Sequence, residues 1–130
     1  MKRVAILGGG PAGAFAAAQL ASAGLAVQVF DEKLAWEKPC GGGLTHKAYT
    51  QYPFLIDNDI PKRLVTETVL SAPPAGEVSL KLEDPLLIYS RLDLNRLLLD
   101  RAARAGAQIE KARVLEIARP PAPRGRATGG

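Results

Sequence analysis

The spacing of apolar positions changes twice within the first 31 residues, and each change marks an element. Val4 to Leu7 is a short unbroken apolar run that predicts a strand. Gly8, Gly9, Gly10 and Pro11 interrupt it. Small residues with high helix propensity follow: Ala12, Ala14, Ala16, Ala17 and Ala18, with Leu20 as the larger contact and Gly24 as a natural stop. Residues 26–31 return to a strand-like apolar run that ends in acid at Asp31.

Further along, residues 32–43 read as a polar, glycine-rich connection, and residues 45–52 as a short helix that Pro53 ends. Residues 64–71 and 77–83 alternate partially and predict a strand pair, turned by Pro73-Pro74-Ala75-Gly76. Residues 86–89 predict another short strand. From 92 to 105, Leu94, Leu97, Leu98, Ala102 and Ala105 recur at helical spacing, and Gly106 closes the helix. Residues 107–109 and 113–117 predict two more strands, the first placed to extend a parallel sheet. The Pro, Gly and Arg composition of residues 119–130 predicts a disordered tail. The fold class is therefore α/β: an incomplete Rossmann-like βαβ domain over residues 1–118, with a parallel sheet and a small β insertion.

The chemistry lies in the first turn. Gly8, Gly10 and Gly13 have the spacing G-x-G-x-x-G, after a strand and at the opening of a helix, the context the motif requires. The first glycine allows the tight turn, the second admits a pyrophosphate against the backbone, and the third lets helix and strand approach. Pro11 at the helix start loses no needed donor, and the first N–H groups, around Ala12, favour an anion. Asp31 stands where a carboxylate accepts from an adenosine ribose, with Glu32 beside it. Together they would repel a 2′-phosphate, which disfavours NADP and leaves FAD and NAD.

Two other readings compete. Met1-Lys2-Arg3 before apolar residues, with Ala21-Ser22-Ala23 beyond, superficially resembles a signal peptide, although the glycines and Pro11 break the apolar helix it needs. A βαβ unit can also keep such glycines for packing and bind nothing.

Composition narrows the partners. A chain of 130 residues, 47% hydrophobic, can bury one core. It has no apolar run of the about 20 residues that a spanning helix needs. The formal charge is +4, and Arg119, Arg124 and Arg126 carry three of those charges, leaving +1 for the remainder. With scattered basic residues and 5% aromatics, nothing points to nucleic acid. One Cys allows no intrachain disulfide and one His no His-rich metal site, which fits a reducing, cytoplasmic setting with no metal. His46 reads as solvent-exposed or helix-capping, and Trp36 as partly buried.

Lys38-Pro39-Cys40-Gly41-Gly42-Gly43-Leu44, Ser90-Arg91-Leu92-Asp93 and Ala105-Gly106-Ala107 narrow the field further. Together with the glycine turn they resemble the geranylgeranyl reductase family, within the FAD-dependent oxidoreductases that also include p-hydroxybenzoate hydroxylase-like monooxygenases. The resemblance spans residues 2–118. It implies that Ala12 and its neighbouring glycines touch the FAD pyrophosphate and Asp31 the ribose. Cys40, Gly41 and Gly43 would lie on the flavin side, Arg91 would reach the cofactor, and the backbone of Val114 would meet the adenine. In a full-length member, reduced flavin would deliver hydride to a C=C bond of an isoprenoid. The family's second cofactor signature and its substrate sheet are not in this sequence, so the chain reads as an N-terminal portion with no assigned catalytic residue. A flavin monooxygenase portion and a non-catalytic nucleotide-binding module are the alternatives.

Overall fold

The computed structural model describes residues 1–39 and 41–120. Cys40 and residues 121–130, which hold most of the expected tail, lie outside the described residues.

The glycine-punctuated start forms β1 (Arg3–Leu7), α1 (Pro11–Ser22) and β2 (Ala26–Asp31). Alternate residues of β1 turn Val4 and Ile6 toward the helices, where they pack with Ala17, Ala18, Val27 and Val29. The alanines of α1 carry no bulk, so its buried face (Ala14, Ala17, Ala18) lies close against its neighbours. Gly24 ends α1 with φ +86°, a conformation that glycine adopts without penalty.

Between β2 and the third parallel strand the chain builds a second sheet. It comprises β3 (Gly42–Leu44), α2 (His46–Gln51), a 3₁₀ turn (Pro53–Leu55), β4 (Lys62–Ala72) and β5 (Gly76–Tyr89). Thr45 caps α2 by accepting from the Ala48 N–H at 3.3 Å. The order is β3-β5-β4, antiparallel, with Leu87 opposite both Leu44 and Leu64 and fully buried. From it α3 (Arg91–Arg104) returns to β6 (Gln108–Lys111), which pairs parallel with β2 to give the sheet order β1-β2-β6.

Two sequence expectations are corrected. Residues 77–83 and 86–89 are one strand, not two: β5 runs through Pro85. The ladder with β4 shifts register between Val65 and Glu67, opposite Leu86 and Lys81, so Pro85 falls in the irregularity, where the missing N–H breaks no ladder bond. Residues 113–117 are not a strand. Ala112 still donates to the Asp31 carbonyl at 3.0 Å, but beyond it Leu115 and Ile117 stand 86% and 73% exposed, with no neighbouring strand to pair among the described residues.

The core has two lobes. One lies between the parallel sheet and the helices. The other joins Ala14, Tyr49, Leu87, Tyr89, Leu94 and Leu98, linking α1, α2, α3 and the second sheet. The Tyr89 hydroxyl donates to the Leu55 carbonyl and accepts from Asn58 Nδ2 at 2.8 Å, which fixes the 3₁₀ turn. Burial pushes its pKa up. Among the described residues, no helix is long and apolar enough to cross a membrane.

Candidate functional site

The glycine turn takes its shape from three different physical demands. Gly8 has φ +106°, and its N–H donates to the Phe30 carbonyl at 2.8 Å, so the chain leaves β1 while still tied to β2. Gly13 has no room for a side chain: a Cβ there would lie 2.0 Å from the Gly8 carbonyl oxygen. Gly10 is the opposite case. Its φ of −68° and ψ of −178° suit any residue, and a Cβ would meet nothing within 4 Å. Neither strain nor packing within the chain asks for glycine at that position.

Gly10 is also the N-cap of α1. No side chain caps the helix, no acid sits in its first turn, and Pro11 follows at the first helical position. The N–H groups of Ala12 and Gly13 therefore open toward the space beside Gly10, with the positive end of the helix behind them.

Asp31, at the end of β2, faces this turn. Its Oδ2 accepts from the Gly9 N–H at 2.8 Å, and its Oδ1 accepts from the N–H groups of Lys33 at 2.8 Å and Leu34 at 2.7 Å. Partial burial pushes the carboxyl up, but these N–H donors and the charge of Lys33 outweigh it and hold the group below its ordinary value of 3.8. An ionised carboxylate has about four acceptor positions. With three N–H groups bound, roughly one remains for an outside hydroxyl. The same bonds hold Leu34 at φ +57°, an uncommon conformation for a bulky residue.

An open cleft of about 450 Å³ lies at the carboxyl ends of β1 and β2, where open parallel sheets bind ligands. Gly8, Asp31, Glu32 and Val114 all line it, so four of the sequence-predicted residues converge. Leu7 and Phe30 supply an apolar floor, and Arg113 Nε approaches Glu32 Oε2 at 3.6 Å across the rim. Val114 is 39% exposed there.

Gly41, Gly43 and Arg91 are not among the residues that line this cleft. Gly42 pairs with Tyr89, so one residue further along each chain Gly41 comes beside Ser90 and Arg91 at the start of α3. Gly42 itself is a packing glycine, since its Cβ would lie 2.4 Å from the Tyr89 carbonyl oxygen. Gly41 has open space, and a Cβ on Gly43 would make only an ordinary contact with Ile88 at 3.4 Å. Cys40 lies outside the described residues. His46 packs edge-on against Tyr49 and lies 3.6 Å from Asp84. Trp36 is 40% exposed under the Lys33 ammonium.

No family model matches the chain. Sequence comparison finds geranylgeranyl diphosphate reductases. The chloroplastic enzyme of Nicotiana tabacum is 34% identical over 125 residues, which is 93% of this chain and 26% of the relative. That of Rhodobacter capsulatus is 38% identical over 109 residues, 79% of this chain and 26% of the relative. Over most of its length the chain is similar to the N-terminal part of geranylgeranyl diphosphate reductases. It spans about a quarter of the length of these relatives. Among solved structures, a geranylgeranyl bacteriochlorophyll reductase-like protein of Thermoplasma acidophilum superposes with TM-score 0.66 and 25% identity, over 84% of this chain and 30% of that one. A Diels-Alderase of pyrroindomycin biosynthesis gives TM-score 0.73 at 19% identity over 93% of this chain and 28% of its own, and shows a shared fold alone.

Sequence reasoning did not find three residues that shape the site. Gly9 is buried, and both its N–H and its carbonyl are bound by side chains. Asn95 makes the second of those bonds: it is 4% exposed, and its Nδ2 donates to the Gly9 carbonyl at 2.7 Å. The available signal was an amide inside the buried Leu94, Leu98 and Leu99 face of α3. Glu37 accepts from the Ser90 hydroxyl at 2.6 Å and from the Arg91 N–H at 3.0 Å, so it holds the start of α3. The Ser90 bond is the main reason its carboxyl lies below 4.5.

Proposed function

We propose that this chain is the dinucleotide-binding portion of a flavin-dependent prenyl reductase, with FAD as its ligand. Gly10 carries the reading: it is a glycine that the fold does not need, beside an uncapped helix N-terminus. The space left by its missing Cβ suits a pyrophosphate, which the N–H groups of Ala12 and Gly13 would bind and Gly8 would admit. Asp31 would accept one ribose hydroxyl on its remaining acceptor position. Leu7, Phe30 and the backbone of Val114 would flank the adenine, while Glu32 beside them disfavours a 2′-phosphate.

Arg91, Gly41 and Gly43 belong on the flavin side in this reading, and Cys40 with them. The exposed glycines would let the ring system approach the backbone, and the Arg91 guanidinium matches cofactor oxygens. When bound and reduced, FAD supplies the hydride for a C=C bond. What this chain contributes is binding and orientation. The isoprenoid substrate is taken from the relatives' named activity. A cytoplasmic setting belongs to the same proposal, supported by a single Cys in the whole sequence.

The test of the activity is a chimera in which residues 1–118 replace the matching segment of the tobacco enzyme. A folded, FAD-loaded chimera should add two hydrogens per reduced double bond of geranylgeranyl diphosphate, read by mass spectrometry. A folded, loaded chimera that leaves the substrate unchanged overturns the reductase reading.

A further inference from the structure

We propose that Asn95 is a positioning residue for the dinucleotide turn: by holding the Gly9 carbonyl inward, it aims the Gly10 N–H outward at the bound anion. The proposal rests on the reading of this turn as a pyrophosphate cradle.

Three successive glycines have little conformational preference of their own, so something else must fix the peptide planes of the turn. Two side chains from different elements do so. Asp31 from β2 takes the Gly9 N–H at 2.8 Å, and Asn95 from α3 donates to the Gly9 carbonyl at 2.7 Å. In a planar trans peptide the C=O and the following N–H point in opposite directions. With the Gly9 carbonyl turned toward buried Asn95, the Gly10 N–H is turned away from α3, and the space beside the Gly10 Cα is open. If the peptide flipped, a carbonyl oxygen would face the anion instead of a donor.

The position of Asn95 supports a role beyond packing. It is the one polar residue among the buried residues of α3, and an apolar side chain there would pack as its neighbours Leu94, Leu98 and Leu99 do. A buried amide bonded to a ligand-facing turn 86 positions earlier couples α3 to the opening of α1. The same helix begins at Arg91, so one rigid element would set both the pyrophosphate turn and the flavin-side arginine.

The experiment uses the full chain, labelled with ¹⁵N, as native protein, Asn95→Asp and Asn95→Leu. Asn95→Asp keeps the shape but, ionised, cannot donate; Asn95→Leu keeps the branching and tolerates burial. Each is titrated with inorganic pyrophosphate while the Gly10 amide resonance is followed, and with FAD for affinity. The native Gly10 amide should move on pyrophosphate addition. In a folded variant that response should be lost, and FAD affinity should fall about tenfold or more, as for loss of one charge-assisted donor. A folded variant whose Gly10 amide responds like the native one overturns the positioning role. If neither variant folds, the residue is structural and the proposal is likewise overturned. A native chain that binds neither pyrophosphate nor FAD refutes the proposed function first, which separates that failure from failure of the Asn95 role alone.

Discussion

Gly13→Ala tests the close approach of α1 to the glycine turn, because helix propensity and packing predict opposite signs. On propensity alone, alanine within a helix gains about 1 kcal/mol over glycine. In this structure the new Cβ would lie 2.0 Å from the Gly8 carbonyl oxygen, 3.2 Å from the Gly8 carbonyl carbon and 3.3 Å from Ile6 Cγ2. Side-chain Cβ atoms essentially never come within 3.0 Å of such neighbours, so helix and turn must separate by about 1 Å. The Gly8 oxygen belongs to the backbone and cannot rotate away. Separation loosens Ala14, Ala17 and Ala18, all buried on the same helix. Overpacking of this kind costs about 3 kcal/mol, so the net loss is about 2 kcal/mol after the propensity gain. With a urea dependence of about 2 kcal/mol per molar, the unfolding midpoint should fall by about 1 M. A midpoint equal to or above the native one would refute the packing argument.

Other expectations follow from the same geometry. Asp31 has a depressed folded pKa, so its contribution to stability is complete above its ordinary value of 3.8 and is lost as pH falls through the lower folded value. Asp31→Asn should therefore flatten the acid limb of a stability-versus-pH curve, and an unchanged limb would contradict the three-donor arrangement. Ser90→Ala removes the N-cap of α3 and one partner of Glu37; urea unfolding should show a loss of about 1 kcal/mol, and the Glu37 carboxyl should titrate nearer 4.5. Leu87→Ala, at the crossing of β3, β4 and β5, should cost about 3 kcal/mol in the same assay, since the side chain is fully buried.

Legibility in the sequence followed the range of the interaction. β1, α1 and β2 were readable because glycine, alanine and apolar runs act locally, and Gly24 and Gly106 stop their helices at φ +86° and +107°. That β6 extends the parallel sheet followed from strand and helix order; its partner, β2, came from the structure. The continuity of residues 77–83 and 86–89 through Pro85 was not legible, because the register shift that accommodates the proline exists only once β4 pairs with β5. Residues 113–117 read as a strand, but among the described residues no neighbouring strand pairs with them, and apolar residues without a partner strand make no sheet. Gly8, Asp31, Glu32 and Val114 line one cleft, whereas the bonds of Asn95 and Glu37 were not legible. Their bonds reach 86 and 53 positions along the chain and exist only after α3 docks.

The central claim is that a dinucleotide pyrophosphate lies against Gly10. Calorimetric titration of the native chain and of Gly10→Val with FAD, with NAD and NADP as controls, addresses it directly. Valine suits the backbone at φ −68° and has free space, so the fold should persist, as circular dichroism would show. The native chain should bind FAD saturably, in preference to NADP, and Gly10→Val should bind none. Equal FAD binding by both proteins, or no dinucleotide binding by the native chain, would contradict it.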